Sequence, residues 1–421
     1  MLRFTDNLII QMTRKCNLNC KYCYEQHVNL YGNKYINFED FKKLVDTTLY
    51  YRCILGRLEN HIDFHFHGGE VLLLPWDELK KDIEYLMLRK QIFPGIEWCI
   101  QSNGLKITDE IAQYFAVRGK AFGLSFDGFS ATERMDNPTN QNFIKRLRFY
   151  HETYGTKFSS ISVLTKNNIK NWYKDMVEVS DIMDTVGANI LCPIIGQEDL
   201  VPSIEDQWNF YYKPVLESFK TDNPLREREL SVVLAVVIGQ ILFGLPTTGK
   251  TGCFNKLCGF GSNMTSASPD LKLGACDKFL EKGPCRDLLK EYPLDKMDFL
   301  GLQQANRTIH FYKEMFKIFD ELRCYSCPAA GICAGECQAY NISKTGQLSL
   351  NSDNCALIKK IYKFIEDCWP EILQHMEIDL QSCPLTITPT AQSRLEKEGL
   401  SLMTEFIDFD NIKVKVIKKE N

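Results

Sequence analysis

The sequence carries little excess of charge of either sign. Against 54 Asp and Glu stand 50 Lys and Arg, a formal net charge of −4 at pH 7 over 421 residues, with a pI of about 6.1. That is no electrostatic footprint for nucleic acid. A secretory signal is missing too, since Met1–Leu8 has no charged segment followed by an apolar one. No apolar run is long enough to span a bilayer. The longest, Leu230–Leu245, is broken by Ser231, Gly239, Gln240 and Gly244 and falls short of the roughly 20 residues required, so it reads as a buried helix. These absences predict a cytoplasmic protein with neither nucleic acid nor membrane among its partners. With 44% hydrophobic and 25% charged residues the composition is that of a globular protein, long enough for two domains and for a core that needs no disulfides.

What the chain has in abundance is cysteine, 17 residues of it. A cytoplasm keeps thiols reduced, so clustered cysteines in a large intracellular chain read as metal ligands. Cys16, Cys20 and Cys23 form a C-x3-C-x2-C motif directly after the strand-like run Leu8–Met12. Thiolates select zinc or iron–sulfur centres. Structural zinc takes four ligands, and the nearest non-cysteine alternative is His27. Three thiolates on a four-iron cube leave one iron open to a small molecule. The motif, with Tyr22 before its last Cys, resembles that of the radical S-adenosylmethionine (SAM) superfamily, in which the open iron chelates SAM.

After Cys23 strand and helix patterns alternate. Strands are expected at Ile62–His67, Ile96–Gln101, Ala121–Phe126, Phe158–Leu164 and Ala188–Pro193. The helices expected between them are Phe38–Leu58, Trp76–Gln91, Thr108–Val117, Asn142–Tyr154 and Asn171–Thr185. Such alternation predicts an α/β fold, a parallel sheet with helices outside. The superfamily resemblance implies a partial (β/α)6 TIM-like barrel over residues 1–199. Alternate residues face opposite ways along a strand. The polar sets Gln11/Thr13, Asp63/His65/His67, Cys99/Gln101/Asn103, Ser125/Asp127 and Ser160/Ser162 are therefore expected to line a ligand chamber inside the barrel. The apolar sets between them should pack on helices.

Three strand ends look like superfamily motifs. His67-Gly68-Gly69-Glu70 resembles the Gly-Gly-Glu-Pro element that holds the SAM amino group, with Val71 in place of Pro. Gln101-Ser102-Asn103-Gly104 resembles a Thr-Asn-Gly strand end, and Ser125-Phe126-Asp127-Gly128 a Ser-Leu-Asp-Gly one. The resemblance assigns Tyr22, Gly68, Gly69, Glu70, Asn103, Ser125 and Asp127 to the cofactor.

Further along, Cys324, Cys327, Cys333 and Cys337 read C-x2-C-x5-C-x3-C, followed by Cys355 and preceded by Cys253, Cys258 and Cys276. Four thiolates are the normal ligation of a cubane cluster. The pattern resembles the SPASM domain, the two-cluster extension of peptide-modifying radical SAM enzymes, placed here at 251–360. In that family Cys253, Cys258, Cys276 and Cys337 would hold one cluster and Cys324, Cys327, Cys333 and Cys355 the other. This gives three [4Fe-4S] clusters with SAM as the complete cofactor set. The family often has Gly where this chain has Leu271. Residues 200–250 read as a helical bridge and 361–421 as a C-terminal helix and tail, whose end from Asn411 alternates like a strand with a basic face. Of the other cysteines, Cys285 is an alternative ligand and Cys99 faces the chamber.

In anaerobic sulfatase maturases an Asp at the position matching Asp277 is the proposed proton acceptor, which makes Asp277 the candidate catalytic base. The resemblance implies a radical SAM oxidoreductase acting on a peptide or protein substrate, with a flavodoxin- or ferredoxin-type reductant. The leading expectation is a maturase of a ribosomally made peptide that forms a thioether or carbon–carbon crosslink. The second is an anaerobic sulfatase maturase that converts Cys or Ser to formylglycine. A third, of a different class, is a non-catalytic iron–sulfur electron carrier. The Val71 departure and the long tail favour the first. The second is favoured by the early start of the motif at Cys16, which leaves no leader-binding domain expected before the barrel.

Overall fold

The structure, a computed structural model, describes residues 7–23, 34–54, 61–192, 197–244, 264–274, 276–277, 292–293, 300–333, 337–345, 347–380, 386–408 and 411–418. Strands and helices alternate through the first half as β1 (Asn7–Thr13), α1 (Phe38–Ile54), β2 (Ile62–Gly68), α2 (Trp76–Lys90), β3 (Ile96–Ser102), α3 (Asp109–Val117), β4 (Phe122–Ser125), α4 (Asn137–Tyr154), β5 (Phe158–Leu164), α5 (Ile169–Glu178) and β6 (Met183–Ile190). The strands pair in parallel in the order β6-β5-β4-β3-β2-β1. This is the expected α/β barrel.

Local sequence explains the punctuation. Thr108 caps α3 through Ile111 N, and Asp136 caps α4 through Thr139 N. Gly155 ends α4 at φ 72°, a left-handed conformation that costs a glycine little. On β2 and β3 the apolar positions Ile62, Phe64, Phe66, Ile96, Trp98 and Ile100 are buried toward the helices. Phe66 stacks on Phe41 of α1, and Trp98 meets Phe115 of α3 edge-on. Each such ring contributes roughly 1.5–3 kcal/mol by leaving water.

Three features differ from expectation. The barrel sheet has a seventh parallel strand, because β7 (Met264–Ala267) pairs with β1 from Asn7↔Met264 to Ile10↔Ala267. Strands β8 (Lys272–Gly274) and β9 (Tyr292–Pro293) then continue it antiparallel. The short Met-Thr-Ser-Ala segment carries no alternation that announces a strand; pairing to β1 makes it one. The sixth strand runs from Met183 to Ile190 rather than Ala188–Pro193, and α5 stops at Glu178 rather than Thr185. The apolar residues of 179–186 suit either state, and pairing to Phe158–Leu164 decides for strand. On β5 the expected faces are reversed. Ser160 and Ser162 are buried, and Ser162 Oγ donates to Phe126 O and accepts from Trp172 Nε1 of α5. The half-buried Ile161 and Val163 take the barrel side. A serine satisfied by a helix-borne indole is content in the outer layer.

The second half continues with α6 (Ile204–Gln207), which runs through a π turn at Trp208–Tyr212 into α7 (Lys213–Ser218), and with α8 (Arg228–Phe243). Helix α8 is the buried apolar helix expected at Leu230–Leu245. Next come α9 (Leu300–Glu321), α10 (Gln338–Thr345), α11 (Ser352–Leu373), β10 (Ile378–Leu380), α12 (Pro389–Lys397), β11 (Leu400–Asp408) and β12 (Asn411–Lys418). The expected terminal strand is β12, central in an antiparallel β10-β12-β11 sheet. Its basic face meets acid at Lys415, whose Nζ lies 2.5 Å from Glu377. Leu271, in the β7–β8 turn, adopts φ 58°, a conformation that favours the glycine the family often places there. Among the described residues no helix is long and apolar enough to cross a membrane.

Helix α2 contains a pH-dependent weakness. Asp82 is 3% exposed, its Oδ1 has no partner, and burial raises its pKa to about 8. A carboxyl whose folded pKa lies above its unfolded one binds more protons when folded, so stability is lost as pH rises from about 4 toward 8. Asp82→Asn should raise the melting temperature at pH 8 and change it little at pH 4. The expected gain at pH 8 is at least about 1 kcal/mol, read by calorimetry at both values.

Candidate active site at the barrel mouth

The segment before the first cysteine is sewn to the end of β2 by backbone alone. Gly69 N donates to Thr13 O and Glu70 N to Lys15 O, both at 2.8 Å. Side chains would not fit. A Cβ on Gly68, itself at φ 137°, would stand 2.2 Å from Thr13 O; one on Gly69 would stand 2.4 Å from Lys15 O. The two glycines thus permit strand end and cysteine loop to touch.

Glu70 is 1% exposed and organises the next layer. Its Oε1 accepts from Leu72 N at 2.8 Å and Ser102 Oγ at 2.7 Å, and its Oε2 accepts from Asn103 N at 2.7 Å. It caps a single 3-10 turn, Val71–Leu73. Val71 is the first residue of that turn, where Pro would also be tolerated, so the turn forms without it. Asn103 reaches the cysteine loop directly, Nδ2 donating to Asn17 Oδ1 at 2.7 Å.

On the other side Tyr22 donates its hydroxyl to Asp127 Oδ2. Asp127 Oδ1 accepts from Val163 N at 2.8 Å, and Arg134 Nη1 lies 3.9 Å from Asp127 Oδ2. Burial raises the Asp127 pKa against the opposing pull of Arg134 and Tyr22. Sequence reading missed Arg134, which follows no strand-end motif. Its Nε is buried with no partner, and its charge reaches Cys16, Cys20 and Glu70. A buried, incompletely paired guanidinium is suited to a carboxylate. Also missed was Gln197, whose Nε2 donates to Lys21 O at 3.5 Å and Cys23 O at 3.4 Å, closing the loop from a distant segment.

Inside the barrel Ser125 Oγ accepts from Gln101 Nε2 at 2.8 Å. Burial lowers the His67 pKa, and its Nδ1 is buried without a partner; Asp277 opposes that lowering by charge. The Cys276 thiol donates to Asp277 Oδ1 at 3.1 Å. So Asp277, from the cysteine-rich half, stands by the polar face of β2.

The residues fit the expected cofactors. Cys16 and Cys20, on the loop tied to the end of β2, share one mouth with the incompletely paired guanidinium of Arg134. Burial pushes the Cys20 thiol up to about 11 and raises that of Cys16 as well, so iron held there would supply the charge that keeps them thiolates. Among the described residues no three His, Cys, Asp or Glu side chains converge on a single ion. Cys276 and Cys337 pack against one small core of Phe311, Met315 and Phe319, which Cys324 also touches. Cys327 and Cys355 both lie within charge reach of Cys324. Cys253, Cys258, Cys285 and Cys383 lie outside the described residues.

Gly69→Ala should lower the iron bound after anaerobic reconstitution and leave the far-ultraviolet circular dichroism unchanged. Gly119→Ala, at φ 60° with nothing within 4 Å of its Cβ, is the control. It should cost about 1 kcal/mol of stability and retain its iron.

Residues 10–178 match the Radical SAM superfamily. An uncharacterized protein of Methanocaldococcus jannaschii is 28% identical over 168 residues, which cover 39% of this chain and 54% of that protein. The chain thus spans about half the length of this relative. A serine-type anaerobic sulfatase-maturating enzyme of Bacteroides thetaiotaomicron is 28% identical over 407 residues, covering 88% of this chain and 91% of its own. Two solved structures share the fold. One is native anSMEcpe with bound AdoMet and Cp18Cys peptide, at TM-score 0.66 and 22% identity, over 87% of this chain and 97% of that one. The other is Streptococcus suis SuiB bound to precursor peptide SuiA, at TM-score 0.50 and 15% identity, over 84% and 76%. The cysteine loop and the glycines it is sewn to thus lie within the segment of this chain, residues 10–178, that matches the Radical SAM superfamily.

Proposed function

We propose that this enzyme oxidises one Cys or Ser side chain of a protein or peptide by two electrons, in the manner of an anaerobic sulfatase maturase, with Asp277 as the base. This reverses the order in which the sequence alone places the two maturase readings. The observation that carries it is Asp277 within charge reach of His67, whose Nδ1 is buried without a partner at the polar face of β2. The likeness to the Bacteroides enzyme over 88% of the chain supports it. Crosslinking remains the second reading, supported by the fold shared with SuiB.

Cys16, Cys20 and Cys23 would hold the iron–sulfur cluster; Gly68, Gly69, Asn103, Ser125 and Arg134 would line the SAM site. When bound, the two supply a 5′-deoxyadenosyl radical that takes a hydrogen atom from the substrate carbon. Glu70, with three donors already on its carboxylate, sets the shape of the cradle. Asp277 accepts the proton that leaves the substrate thiol or hydroxyl. One electron remains to be removed. Cys276 and Cys337, with Cys253 and Cys258, and separately Cys324, Cys327, Cys333 and Cys355, would hold the auxiliary clusters that serve as its sink. The setting is a cytoplasm with a flavodoxin- or ferredoxin-type donor.

Reconstituted enzyme incubated anaerobically with SAM, dithionite and a sulfatase-type Cys peptide should convert the Cys to an aldehyde, detected by mass spectrometry with carbonyl labelling. Asp277→Asn should reduce that product roughly 10²–10⁴-fold while 5′-deoxyadenosine still forms. Loss of two hydrogens with no aldehyde would favour the crosslinking reading.

A further inference from the structure

The polar face of β2 does not stop at the chamber. His61, Asp63, His65 and His67 follow one another at every second residue and therefore stand on one side of the strand. At about 3.3 Å per residue the column is roughly 20 Å long, reaching from the chamber to the opposite, N-terminal mouth of the barrel. Its outer end is wet, with His61 Nε2 bonded to Asp63 Oδ2 at 2.8 Å and their side chains 53% and 29% exposed. Its middle is paired: His65 Nδ1 lies 3.0 Å from Cys99 Sγ and Nε2 lies 3.4 Å from Asn7 Oδ1. Its inner end is the unpartnered Nδ1 of His67. At each level the facing residues of β3 and β5, among them Cys99, Gln101, Ile161 and Val163, are only half-buried. The residues between them, such as Phe64, Phe66 and Ile100, are fully buried. The inner faces are thus less closely packed than the core usual for such folds.

We propose that His67, His65 and Asp63, ending at His61, form a proton conduit through the barrel. It would carry the proton released by substrate oxidation from the chamber to solvent at the far mouth. This rests on the two-electron oxidation proposed above. That reaction removes a hydrogen atom, an electron and a proton, and only the proton travels here; the electron leaves by the auxiliary clusters. With substrate and SAM over the C-terminal mouth, water on that side is excluded and the proton needs another way out. A neutral imidazole accepts at one nitrogen and donates at the other; for His65 to relay, water must take the place of its present partners, Cys99 at Nδ1 and Asn7 at Nε2. Burial lowers the pKa of both His65 and His67, keeping them neutral carriers. Burial also pushes the Cys99 thiol up to about 12, so it remains an S–H donor to His65. Asp63 keeps a lowered pKa despite its burial, through His61, His65 and Lys120, and is the ionised acceptor near the exit.

The test uses the reconstituted enzyme with Asp63→Asn, which keeps the side-chain shape, and Asp63→Glu, which restores the carboxylate. Labelled histidine signals report exchange of the His65 ring proton with bulk water, a readout that needs no turnover. With seven histidines in the chain the spectrum can be assigned by substitution. Exchange should slow at least about tenfold in Asp63→Asn and recover in Asp63→Glu. With the Cys peptide, product formation should fall in parallel, with a larger solvent deuterium isotope effect and unchanged KM. Unaltered His65 exchange in Asp63→Asn overturns the conduit whether or not a peptide is converted. Failure of the wild-type enzyme to oxidise any peptide, with exchange behaving as described, overturns the oxidation reading instead.

Discussion

The site depends on one close backbone contact, between Thr13–Lys15 and Gly68–Glu70. Two hydrogen bonds of 2.8 Å tie the cysteine loop to the end of β2, and they exist because neither Gly68 nor Gly69 has a Cβ to hold the segments apart. Everything next to the loop reinforces that contact. Glu70 fixes the following turn and the end of β3, Asn103 holds Asn17, and the Tyr22–Asp127–Arg134 group holds the far side. These hydrogen bonds hold the three-cysteine segment against the strand ends. Preorganisation of this kind separates a ligand site from a chance cluster of thiols.

The second theme is the distribution of polarity across the barrel. The outer faces of β2 and β3 are packed with rings and branched side chains, as a soluble core requires. The inner faces carry histidine, cysteine, glutamine and serine, and they are half-open. An apolar interior would be more stable. Polar side chains kept there, with His67 left a nitrogen short of a partner, mark a chamber arranged for chemistry.

Much of this was legible in the sequence. The first cysteine motif pointed to the radical SAM match now found over residues 10–178, and strand alternation placed His65, His67, Cys99 and Gln101 on the inner face. The departure at Leu271 reappears as a left-handed turn residue. What escaped has physical reasons. Arg134 lies in a loop, where no periodicity points inward. Gln197 acts across more than 170 residues, beyond any local pattern. The seventh strand exists only through its pairing with β1. On β5, Ser162, satisfied by Trp172 and a backbone carbonyl, took the outer layer, so polarity alone misassigned the face.

The central claim is that a hydrogen atom leaves the β-carbon of a substrate side chain. The most direct measurement supplies a Cys peptide deuterated at that carbon and reads the mass of the 5′-deoxyadenosine formed. The account predicts one deuterium in the 5′-deoxyadenosine, matched to each aldehyde produced. Aldehyde formed alongside unlabelled 5′-deoxyadenosine would contradict it.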